Sequence, residues 1–167
     1  MPEALSPATR SFIALDRMHV ELDARFQAHQ EHLVLFDTTA SIAALERFAE
    51  LLALHMEQEE RHLLPLYAGV PLDAKRDRAD VYRLEHRKLE QLLDKLRRAL
   101  SAIGTMPTPA QVIDLLERGS LIKHVMEHHG TRERTTLYPA LDAIAAADDR
   151  DRIISECLSQ WLAASSR

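Results

Sequence analysis

This 167-residue chain has only four glycines and a single cysteine, and aromatic residues make up only 5% of it. One cysteine, Cys157, cannot close an intrachain disulfide. So few glycines, set against abundant Leu, Ala, Glu and Arg, argue for helix, because glycine is among the residues a helix accepts at greatest cost. No apolar run approaches membrane-spanning length. The start, MPEALSPATRSFIALDRMHVEL, lacks the charged-then-apolar layout of an export signal, so a soluble cytoplasmic protein with no membrane partner is expected. The net charge of -5 comes with no basic tail or arginine block, and there are few rings to stack on bases; nucleic acid is not expected as a partner. What is present, 46% apolar and 28% charged residues, is an ordinary globular balance, and the length suits one domain over residues 1–167.

Helix punctuation divides the chain. Ser6 with Pro7, Pro71 and Pro109 mark helix starts, where a missing N–H costs nothing, and Thr39 or Ser41 in DTTAS can cap another. The spacing predicts helices over about 7–36, 41–68, 72–103 and 109–145, with a short fifth over about 148–164. Four long helices with short connectors predict an all-α, up-down-up-down four-helix bundle with its core over about 7–145.

The stretch HMEQEERH, residues 55–62, divides when each residue is turned by about 100°. Phe48, Leu51, Leu52, Leu63 and Leu66 fall within about 80° of His55, and so do Glu59 and His62; Glu57, Gln58, Glu60 and Arg61 fall outside that arc. Glu57, Glu60 and Arg61 therefore read as solvated surface. The last long helix repeats the pattern, placing Ile122, Val125, Met126, Glu133 and Leu137 around His129, with His124 exposed and His128 on the flank. Two carboxylates in apolar stripes without Lys or Arg need another source of positive charge, since an uncompensated buried carboxylate costs several kcal/mol. His and Glu four residues apart on an inward face can hold a metal, and imidazole with carboxylate suits iron or zinc. His19 and His86 are the inward histidines of the other two helices. His29 and His32 read as surface. Cys157 reads as a small buried apolar residue, and Trp161 as packing against the bundle or a partner subunit.

The two halves echo each other. Each has an inward His (His19, His86), then His-x-x-x-Glu (His55 and Glu59, His129 and Glu133), and then a proline, Pro65 or Pro139, six residues after the Glu. A twofold-repeated hairpin of this kind gathers four His and two Glu at one midpoint, a complement for two metal ions. Glu90, His62 and Asp23 are further candidates for the coordination sphere or for hydrogen bonds to the ligands.

This pattern, over residues 10 to 142, resembles the hemerythrin-like, or HHE cation-binding, family. The resemblance implies that His19, His55, His86 and His129 are terminal ligands and that Glu59 and Glu133 bridge or bind a non-haem site of two iron ions, with zinc as the alternative metal. Two positions depart from the oxygen-carrying hemerythrins: Glu90 stands where they have a second His, and Glu133 follows His129 by four residues where they have Asp at five. The expected function is binding or sensing of oxygen, iron or a related small molecule such as peroxide or nitric oxide, by a monomer or homodimer. The alternatives are a diiron oxidase or peroxidase and a zinc-bound or metal-free structural bundle.

Overall fold

A computed structural model describes residues 10–71 and 78–166. Every regular element among them is helical. A 3₁₀ turn, Phe12–Asp16, leads into α1 (Arg17–Val34), and α2 (Thr38–Gln58) continues through a π turn (Glu59–Leu63) into α3 (Leu64–Ala68). The second half repeats this order with α4 (Ala79–Ala102), α5 (Pro109–Arg132), a π turn (Glu133–Leu137) and α6 (Tyr138–Ile144), and α7 (Ala147–Ser165) closes the chain. The expected starts at Ser6 and Pro7, and residues 72–77 of the expected third helix, lie outside the described residues.

Caps explain where the elements begin. Thr108 forms a capping box with Gln111, and Pro109 takes the first helical position, as its fixed φ allows. The second helix differs from expectation: Asp37, not Thr39 or Ser41, caps it by accepting from the Ala40 N–H at 2.9 Å, and it starts at Thr38. Asp37 can do so because α1 ends in a Schellman motif. The Asp37 N–H reaches the His32 carbonyl, the Phe36 N–H reaches the Leu33 carbonyl, and Phe36 adopts φ 60°.

Each long helix buries one stripe: Met18, Leu22 and Phe26 in α1; Leu45, Phe48 and Leu52 in α2; Leu89, Leu93 and Leu96 in α4; Leu115, Ile122 and Met126 in α5. α1 packs on α2 and α5, and α4 packs on the same two, so the four long helices form a helical bundle around these stripes. α7 lies against α2 and the Phe12–Asp16 turn, burying Ile153, Ile154, Cys157 and Trp161. The start of the described chain is tied to α6, where the Ser11 hydroxyl and the Phe12 N–H both donate to the Asp142 carboxylate. No described helix is long and apolar enough to cross a membrane.

Candidate metal centre

His55 closes the last turn of α2 and Glu59 opens the π turn that follows; His129 and Glu133 stand in the same relation after α5. In each π turn the N–H of the residue after it, Leu64 or Tyr138, bonds to the carbonyl of the Glu, five residues back. The prolines account for the widening. Pro65 and Pro139 have no N–H to give, and in α geometry their rings would collide with the carbonyl four residues earlier. The widened turn relieves that collision directly after the acidic residue.

His19, His55, Glu59, His129 and Glu133 are all buried, and one ligand atom from each lies within 4.8 Å of every other. His19 Nε2 is 3.0 Å from His55 Nε2 and 2.9 Å from Glu133 Oε2. His55 Nε2 is 3.0 Å from Glu59 Oε1, and His129 Nε2 stands between Glu59 Oε2 (3.3 Å) and Glu133 Oε1 (3.1 Å). His86, equally buried, joins through Glu59 Oε2 at 2.9 Å. The other three candidates stand apart. Glu90 and Asp23 are exposed, and His62 turns toward Glu156 on α7, 3.7 Å away.

Three of the imidazoles are held from behind. His19 Nδ1 is 3.0 Å from Asp16, His86 Nδ1 is 2.8 Å from Glu60, and His129 Nδ1 is 3.0 Å from Glu85. A carboxylate can only accept, so each Nδ1 donates, and in the neutral imidazole each Nε2 then carries a lone pair aimed inward, the tautomer a metal requires. Glu59 Oε1 and Glu133 Oε1 are buried and accept no hydrogen bond of good geometry. Inward lone pairs and orphaned carboxylate oxygens around one point are a donor set that a cation satisfies. The residues present therefore fit a metal.

The local field is negative and favours positive charge at this point. Burial pushes the His19 imidazole down, but the carboxylates of Glu133 and Glu59 outweigh it and hold the group up at about 9. Burial likewise works against the charged form of His129, yet the same two carboxylates carry it well above its ordinary value. Burial would raise the Glu59 carboxyl, but His55, a bond to Glu133 and His129 hold it well below the usual carboxylate range. Tyr138 donates from its hydroxyl to Glu133 Oε2 at 3.0 Å and is pushed well above its usual value by burial and by Glu133.

Several of these partners differ from the expectations of helical phase. Glu60, expected in solvent, is half exposed but holds His86 across the α2–α4 seam. Gln58 is buried beneath α7, and its amide donates to the Cys157 carbonyl at 3.0 Å. His29, expected at the surface, is 1% exposed and bonds to Ser41 through Nδ1. Each depends on a neighbouring helix that one helix's periodicity cannot register. Asp16, Glu85 and Tyr138 were not singled out by sequence; their signal is weak, an acid three residues before His19, an acid beside His86, and the residue before Pro139.

A family model described as the hemerythrin HHE cation-binding domain matches residues 77–163. No curated protein and no solved structure matches the chain.

Proposed function

The chain belongs to the hemerythrin HHE cation-binding family, and from that membership we propose that the buried cluster is a non-haem site for two iron ions, used to bind or sense oxygen, iron or a related small molecule. In this reading the four long helices run alternately up and down, so that both hairpins deliver their histidines to the middle of the bundle. The observation that carries the reading is the set of inward Nε2 atoms on imidazoles whose Nδ1 is held by an outward acid. Four imidazoles and two carboxylates exceed the four ligands of one structural zinc and suffice for two ions, and imidazole with carboxylate suits iron.

Iron held there supplies a Lewis-acidic, redox-active centre that accepts a small ligand. The protein supplies the rest. Glu59 lies between His55, His86 and His129, and Glu133 between His19 and His129, so both carboxylates are placed to span two positions. Tyr138 orients Glu133 from one side. Buried Leu15, Met18 and Leu63 exclude bulk water on the flank nearest α7.

Elemental analysis of protein purified from iron-supplied cells tests the reading. About two iron per chain, with a visible charge-transfer band in aerated protein, is the expected result, and less than about one iron per chain overturns it.

A further inference from the structure

On the side of the cluster facing α7, a cavity of about 10 Å³ lies among Gln58, Glu59, Tyr138 and Cys157. That is room for about one water-sized molecule, or a diatomic leaning toward the metal positions. Gln58 is 4% exposed and its amide orientation is fixed, because Nε2 donates to the Cys157 carbonyl at 3.0 Å and to Gln160 Oε1 at 3.1 Å. A backbone carbonyl only accepts, so the amide nitrogen must face α7 and Oε1 must turn away from it. That oxygen is buried and accepts no hydrogen bond. The remaining wall offers it little. Leu15, Met18 and Leu63 carry no polar hydrogen, His55 also lines the cavity but makes no hydrogen bond to this oxygen, the Tyr138 hydroxyl already donates to Glu133, and a cysteine thiol is a weak donor.

We infer that this pocket takes a molecule of one or two heavy atoms that donates a hydrogen bond to Gln58 Oε1, namely water or hydrogen peroxide, in preference to dioxygen or nitric oxide. The latter two have no hydrogen to give and would leave the buried acceptor unpaired, and a site built around a buried polar group rejects the analogue that cannot pair with it. The inference rests on the metal reading of the adjacent cluster and narrows its ligand class.

Two probes of the same N–O frame separate the possibilities: hydroxylamine, which donates, and nitric oxide, which does not. In anaerobic optical titrations of the iron(II)-loaded protein, Gln58→Leu should weaken hydroxylamine by about tenfold, the worth of one hydrogen bond, and leave nitric oxide unchanged or tighter. An equal change for both probes overturns the inference. Should Gln58→Leu not fold, Gln58→Met repeats the comparison. A crystal structure of the wild-type protein, with or without metal, gives an independent reading: an ordered solvent or ligand atom within hydrogen-bond distance of Gln58 Oε1 is expected, and a protein group there instead overturns the inference. Failure to load iron would remove the proposed function, while the metal-free crystal structure would still decide whether Gln58 holds a donor.

Discussion

His19 donates from Nδ1 to Asp16, and Arg134 donates to the same carboxylate at 2.9 Å, so one acid outside the cluster holds both an imidazole and a guanidinium in place. Although partial burial acts to raise the Asp16 carboxyl, Arg134 and His19 together hold it below its ordinary value. Removing such an outer partner costs a metal site roughly 10–100-fold in affinity. Asp16→Asn should therefore weaken metal binding by that order in competition with a chelator; an unchanged affinity would show that His19 needs no partner at Nδ1. Glu59→Ala should reduce bound metal from about two ions to less than one per chain, whereas Glu90→Ala, at an exposed position, should leave it unchanged. Metal lost equally in both variants would place Glu90 in the sphere. Cys157 behaves differently from a reactive thiol: burial, with Glu156 and Glu59 nearby, pushes it up to about 11. Because thiolate is the reactive form, it accumulates only as the pH approaches 11, and alkylation of the native protein at pH 8 should be at least about tenfold slower than of the unfolded chain. Mass spectrometry of timed samples measures this.

Among the elements, the two π turns are the local devices that set the site. Each places a Glu at its first position and relieves a proline a few residues on, so the wide turn and the carboxylate come as one unit. The two copies are unequal, since Tyr138 bonds to Glu133 while the corresponding position after Glu59 is Leu64, which has no hydroxyl. The turn between α1 and α2 is strained in a measurable way. Phe36 takes φ 60°, in the left-handed region, at the position of the Schellman motif that glycine usually fills. A non-glycine residue there costs about 1–2 kcal/mol, and Phe36 is 46% exposed, so replacing it gives up only part of a ring's packing. Phe36→Gly should raise unfolding stability by about 1 kcal/mol in denaturant titration; a loss of stability would mean that the ring contributes more than the strain costs.

For the whole molecule, α7 is part of the wall of the site as well as a cover for the bundle. Its Trp161 is buried, donates from Nε1 to Glu21 at 2.7 Å, and is the sole tryptophan of the chain, so its fluorescence reports whether α7 is docked. Trp161→Ala should cost about 3–5 kcal/mol, the range for deleting a large buried aromatic side chain. Removing metal with a chelator should lower the melting temperature, because a ligand bound only by the folded state stabilises it. An unchanged melting temperature would favour a bundle held together by packing alone.

Helical phase and the repeat were legible in the residues because both are short-range properties. A 3.6-residue period puts His55 with Glu59 and His129 with Glu133 on apolar stripes, and the proline spacing makes the two copies agree. The sequence by itself thus determined the all-helical class and the six residues aimed inward. Whatever requires two helices to meet had to wait for the tertiary structure: Glu60 reaching His86, Glu85 reaching His129, Asp16 shared by His19 and Arg134, His29 buried against Ser41, and Gln58 hooked to the Cys157 carbonyl. Apart from Asp16 with His19, those contacts join residues well separated in sequence, and their geometry is set by how the helices pack and by the π turns after α2 and α5. Neither leaves a periodic trace along one helix.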